Sequence, residues 1–334
     1  MTLHPAFIFL GGLVVIVLGA EMLLRSASRL AGMLGVRPII IGLTVVSIGT
    51  STPELAVGIA AAIEGRGVMA VGNIAGTNIF NILFILGLSA LLRPLPLHLL
   101  SIKLDVPVMI ATALALILMA RDGLLSREEG FALLFAAVIY TIALVHLSRN
   151  ESPAMRREFA EEYGVAQATP LPNAALPVSN WALGAWNTLL LLLGMALTVL
   201  GAELLVFSAS SIAQAYGVSD AVIGLTILAI GTSAPELATT MMATFKNDRD
   251  VAIGNLIGSS IYNVLVILGL TCVVAPGGID VSRQILWIDL PLAALVAIVC
   301  LPVFRSGQLV SRLEGGLFVA AYLGYMGTLL FLRA

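Results

Sequence analysis

The chain has 334 residues, 59% hydrophobic and 11% charged, with a mean hydropathy of +1.05 and a formal net charge of −2. Soluble domains carry about 25% charged residues, so this composition places the chain in lipid. No basic patch recommends nucleic acid as a partner, and the apolar runs are continuous rather than alternating, which argues for helices and against a barrel.

In chain order, ten apolar stretches can each supply the roughly 20 residues of a membrane-crossing helix. They fall near 6–30, 39–63, 67–92, 104–120, 129–147, 183–213, 221–245, 251–274, 285–303 and 312–332. The first could pass for a signal peptide, but it lacks a basic start and recurs later, so it is read as a retained helix. Cys272 and Cys300 both sit in apolar stretches and make neither a disulfide framework nor a zinc site. His4, His98 and His146 are scattered and form no ligand set. With the N-terminus outside, 12 of the 17 Lys and Arg fall on the inner side. The bias predicts both termini outside, in the plasma (inner) membrane of the cell.

Residues 49–54 read GTSTPE, and 231–236 read GTSAPE. At an offset of 182, residues 41–88 align with 223–270 without a gap, with 24 of 48 positions identical. Leu18-Gly19-Ala20-Glu21 answers Leu200-Gly201-Ala202-Glu203, and Asp105-Val106-Pro107 answers Asp289-Leu290-Pro291. The expected fold is therefore an all-α integral membrane protein, ten helices in two five-helix repeats. Five is odd, so the copies are inverted, an arrangement that puts ion sites at the repeat interface near mid-membrane, often on discontinuous helices. The expected division is 1–148, a hydrophilic cytoplasmic linker 149–182, and 183–334.

Between Pro38 and Ile63 the one ionisable side chain is Glu54, and Glu236 is its double. Pro53 has no N–H, and its ring clashes with the carbonyl of Gly49. A break is predicted near 49–51, freeing carbonyl oxygens, and Pro235 should do the same after Gly231. Broken backbone at membrane depth survives only where it lines a cavity. These carbonyls, the hydroxyls of Thr50, Ser51, Thr232 and Ser233, and the two carboxylates are hard oxygen ligands. Thr77 and Asn81 lie one turn apart on one helix face, as do Ser259 and Asn263. Two facing copies would gather two carboxylates, two carboxamides and several hydroxyls into one pocket. Such a set suits Ca2+, which takes 6–8 oxygens, or Na+, or protons. Ions that need the same carboxylates exclude one another, which is the basis of exchange.

Single intramembrane acids are sometimes structural, but a matched pair in hydroxyl–proline motifs points to function. The glycines of GNIAG and GNLIG fit close packing or helix sliding equally well. Glu21 lies one turn before Arg25 and can pair with it, although the matching position in the second copy is Phe207. A structural role is expected for Glu21 and Glu203, with a peripheral place on the ion path as the alternative. Asp105 and Asp289, just ahead of prolines, read as helix caps. Thr52 and Ala234, which differ between the copies, should matter much less.

The paired signatures GTSTPELA with GNIAGTNIFN, and GTSAPELA with GNLIGSSIYN, resemble the sodium/calcium exchangers of the calcium/cation antiporter superfamily, here of prokaryotic type. The likeness spans both repeats. It implies an electrogenic antiporter that uses the inward sodium gradient to expel calcium. It implies that Glu54 and Glu236 are central ligands shared by both ions, with Thr50 and Thr232 adding oxygens. Asn81 and Asn263 would line the central position. Flanking ion sites would involve Thr77, Ser259, Ser51 and Ser233, with backbone oxygens at Ser47 and Ala229. Family members slide their first and sixth helices, which would make 6–30 and 183–213 the moving gate. Many exchangers carry Asp where this chain has Asn263, which leaves stoichiometry and potassium dependence open. Proton-coupled relatives usually carry a GNAxE-like run that is missing here, so Ca2+/H+ or K+-assisted antiport is the alternative. A passive cation channel and an intramembrane enzyme are disfavoured, the second because no activated nucleophile or catalytic metal set is present. No cofactor and no obligate protein partner are implied; the partners are the transported ions and the bilayer.

Overall fold

The computed structural model describes residues 5–34, 38–97, 101–149, 181–216 and 229–332. Nearly all of them are helical, as an apolar chain in lipid requires, because each backbone polar group must find its partner within the protein. Seven of the described helices are long and apolar enough to cross a membrane, and a bent pair makes an eighth if counted as one span. Most of the expected linker 149–182 and residues 221–228 of the seventh expected span lie outside the described residues.

Two long helices, α1 (Pro5–Leu34) and α7 (Trp181–Ala215), run antiparallel against each other. Their backbones touch along a seam of small residues. A β-carbon at Gly19 would lie 2.6 Å from the Thr198 nitrogen, and one at Gly194 2.6 Å from that of Leu23. In lipid such close approach is a principal source of helix association, since apolar side chains gain nothing by leaving the tails. Valine at either position should separate the pair and lower the melting temperature of the purified protein by several degrees.

The next segment, α2 (38–50) followed by α3 (Thr52–Ile63), is the bent pair: its halves meet at 50°. Ser51, with φ −82° and ψ 13°, is the joint. The break falls where the proline predicted it. The freed oxygen is accounted for differently, because the Thr52 hydroxyl donates to the Gly49 carbonyl at 2.7 Å. The copies differ here, since Ala234 has no hydroxyl to do the same for Gly231. In the second copy α8, described over Ala229–Thr232, and α9 (Ala234–Phe245) meet at Ser233, with φ −88° and ψ 8°.

The centre is formed by α4 (Gly67–Leu92) and α10 (Arg249–Val274), with 72% and 78% of their apolar windows buried. The windows of α1, α5 (Ser101–Asp122), α6 (Arg127–Arg149) and α7 are one-third buried or less, so these helices form the lipid-facing wall. Both central helices widen into π-turns, at Phe80–Leu86 and Asn263–Leu268. Such bulges recur at functional sites, and each of these holds one of the two expected site asparagines.

Of the remaining long helices, α11 (Ile285–Arg305) is the last of those seven, and α12 (Arg312–Leu332) follows it. Two short antiparallel ladders join the halves: β1 (Leu95–Pro96) with β4 (Leu309–Val310), and β2 (Leu124–Leu125) with β3 (Ile279–Asp280). The capping role expected for Asp105 and Asp289 does not hold. Wide turns at Ser101–Asp105 and Ile285–Asp289 carry the helix through both residues, and neither makes a side-chain cap bond. Instead Tyr140 donates to Asp105 at 2.9 Å, and Tyr325 to Asp289 at 3.2 Å. Glu21 pairs with Arg25 as its spacing predicts, and also with Lys246, tying α1 to the turn before α10.

Candidate functional site

Both glutamates sit in the first turn of a helix that a proline opens, α3 for Glu54 and α9 for Glu236. The helix N-terminus, with its free N–H groups, favours a negative charge there. Both side chains are 0% exposed. Between Ser51 and Ser233 the connections cross. Ser51 donates to Oε1 of Glu236 at 2.8 Å, and Ser233 donates to Oε1 of Glu54 at 3.3 Å. Thr50 and Thr232, the residues just before these serines, are buried beside them. Each copy's carboxylate is thus held by the other copy's hydroxyls, and the two carboxylates are close enough to act on each other electrostatically.

The second oxygen of each glutamate has no partner among the described residues, although both atoms are buried. The same is true of both amide atoms of Asn81, Oδ1 of Asn263 and Oγ of Ser259. A buried polar atom left unpaired costs about 1–3 kcal/mol. Several of them beside two like charges need a function to explain them. Thr77 joins the cluster through Ser233, hydroxyl to hydroxyl at 3.3 Å.

Ser47 is turned elsewhere: its hydroxyl donates to the Gly42 carbonyl at 2.6 Å and lies 3.0 Å from the carbonyl of Asn255. It fastens α2 to α10, leaving its own backbone oxygen to accept from Ser51 N at 3.1 Å and Thr50 Oγ1 at 3.3 Å. Ala229 is the first described residue of α8, one turn before Ser233.

Sequence reasoning gave Asn255 only a place in a glycine motif. Its amide nitrogen donates to Thr239 and Thr240 at 3.0 and 3.1 Å, so its oxygen faces the Thr50 hydroxyl at 3.3 Å. Asn255 thereby orients one of the expected ligands, and its identity with Asn73 across the repeats was the available signal. The crossing of serines had no signal at all, because the repeat does not say which copy's hydroxyl faces which acid.

No group of three or more His, Cys, Asp or Glu gathers among the described residues. The arrangement is two carboxylates with neutral oxygens, able to take a hard cation and poorly suited to a soft one. Ser51→Ala should weaken apparent cation affinity about tenfold and Ser233→Ala about threefold. The shorter bond to a carboxylate is the stronger, and concentration dependence of transport measures both.

Residues 4–146 and 186–331 match the sequence profile described as sodium/calcium exchanger protein. The chain is 37% identical over 316 residues to a putative antiporter, CaxA, of Alkalimonas amylolytica, covering 94% of this chain and 95% of that one. It is 31% identical over 357 residues to the sodium/calcium exchanger MaX1 of Methanosarcina acetivorans, covering 97% and 98%. The fold superposes on the solved sodium-calcium exchanger NCX_Mj with a TM-score of 0.80 at 26% identity, over 97% of this chain and 98% of that one. These likenesses are to transporters, and this multi-pass helical chain belongs to the sodium/calcium exchanger protein family.

Proposed function

We propose that the protein is a secondary-active antiporter exchanging Na+ for Ca2+, with the ions held near mid-membrane by Glu54 and Glu236. The observation that carries this reading is the pair of fully buried carboxylates, each with one oxygen tied across the copies and the other unpartnered. A dication neutralises the pair, whereas several monovalent ions can replace it on the same oxygens. Neither can enter while the other is bound. Thr50, Thr232, Asn81 and Asn263 complete the central position; Ser51, Ser233, Thr77, Ser259 and backbone oxygens near Ser47 and Ala229 serve flanking positions. The names of MaX1 and NCX_Mj support the ion pair.

The architecture we infer is ten spans in two inverted repeats, 1–148 and 183–334, with a cytoplasmic linker and both termini outside, in the plasma membrane. Support comes from the 182-residue offset, the matched π-turns, and the two ladders, each of which joins one copy to the other: β1 pairs with β4 and β2 with β3. Alternating access would move α1 and α7, the pair outside the buried centre.

In sealed vesicles, an outward sodium gradient should drive uptake of radiolabelled calcium. Uptake driven by a pH gradient alone would replace this reading with Ca2+/H+ exchange, and dependence on internal potassium would make it K+-assisted.

A further inference from the structure

Asn78 and Ser260 occupy equivalent positions of the two copies, 182 apart, and they touch. The Asn78 amide nitrogen donates to the Ser260 carbonyl at 3.0 Å. A backbone carbonyl can only accept, so the orientation of the Asn78 amide is fixed, with its oxygen directed the other way. That oxygen meets the amide nitrogen of Asn263 at 3.1 Å. Asn263 must therefore donate here, and its own oxygen, fully buried and unpartnered, is the atom left to the pocket. Its π-turn packs against α3, the helix that carries Glu54. The second copy has no such clamp: the Ser260 hydroxyl returns to the Leu256 carbonyl of its own helix at 3.0 Å, and both amide atoms of Asn81 stay unpaired.

We infer that Asn78 is a positioning residue for cation binding: the Ser260 carbonyl sets its amide, and its amide makes Asn263 present oxygen rather than nitrogen to the ion. This rests on the cation-site reading above and sharpens it, because it makes one of the two carboxamides a preset ligand and leaves the other free to turn. Were the Asn263 amide to rotate, an N–H2 group would face the cation and a binding oxygen would be lost.

The test is a double-mutant cycle of Asn78→Leu and Asn263→Ala, with calcium uptake followed against calcium concentration in vesicles. The calcium concentration for half-maximal thermal stabilisation of the purified protein is measured alongside. A small cavity bordered by Asn78, Met109, Ala113, Ala293 and Ala297 leaves room for leucine. Asn78→Leu should raise the apparent KM for Ca2+ about fivefold, the scale of one hydrogen bond, with the maximal rate kept within about twofold. In the Asn263→Ala background the same change should have no further effect, because the group it positions is gone. An unchanged KM in the single variant, or the full fivefold loss repeated in the Asn263→Ala background, overturns the assignment. If the leucine variant does not fold, Asn78→Ser replaces it, since the shorter side chain cannot span both partners. A parent protein that neither transports nor is stabilised by Ca2+ would overturn the proposed function and this role together. A normal parent with the wrong order of variants overturns only the role of Asn78.

Discussion

Glu54→Gln, and separately Glu236→Gln, should reduce sodium-driven calcium uptake by at least about a hundredfold while the protein stays folded. Two carboxylates neutralise Ca2+; with one amide the occupied pocket carries an uncompensated charge away from water. Burying such a charge costs several kcal/mol, and about 2.7 kcal/mol is already a hundredfold in affinity. Glutamine has nearly the same size and can still accept the bond from Ser51 or Ser233 that each glutamate accepts now. Removing one of two like charges also relieves their repulsion. The melting temperature without cations should therefore stay level or rise in both variants, while the stabilisation that calcium gives the parent protein disappears. The two readouts move in opposite directions, which separates a lost ligand from a lost fold. Exchange retained in either variant would remove that glutamate from the central site.

Much of the architecture was legible because lipid leaves few choices. Long uncharged runs must be helices, and a proline inside such a run breaks the helix at the carbonyl four residues before it, here that of a glycine. The sharing of the two glutamates between copies followed from the repeat itself. What was not legible depends on packing between segments that are similar in sequence. All the spans read as apolar, so apart from the polar and glycine motifs of α4 and α10 nothing in the runs themselves told how deeply each helix is buried. Asp105 and Asp289 carry the sequence marks of caps, but wide turns upstream of Pro107 and Pro291 continue the helix past them. Tyrosines about 35 residues away become their partners instead. In the sequence Ser51 is only a hydroxyl ligand at a flanking position, and nothing in the repeat says that it also holds the opposite glutamate. The bond from the Thr52 hydroxyl to the Gly49 carbonyl was not legible either, because the second copy has alanine at that position.

The glycines of GNLIG were open between packing and sliding, and Gly258 resolves its own case in favour of packing. A β-carbon there would fall inside the contact radius of Ser47 Oγ, 2.5 Å from the Leu43 carbonyl oxygen and 2.7 Å from the Leu43 α-carbon. Two of these three obstacles are backbone, which cannot turn aside as a side chain can. Gly258→Ala should therefore force α2 away from α10 and cost about 1–3 kcal/mol, as overpacking does. The damage extends to the site, since α2 ends in Thr50, which reaches Asn255 on α10, and Ser51, which holds Glu236. Exchange should fall at least about tenfold, with a lower melting temperature and weaker stabilisation by calcium. Adding Ser47→Ala removes only the side-chain obstacle, so the double variant should recover little of either. Full recovery would show that Ser47 alone occupies the space and that the α2 backbone is free to move relative to α10, returning Gly258 to the sliding reading.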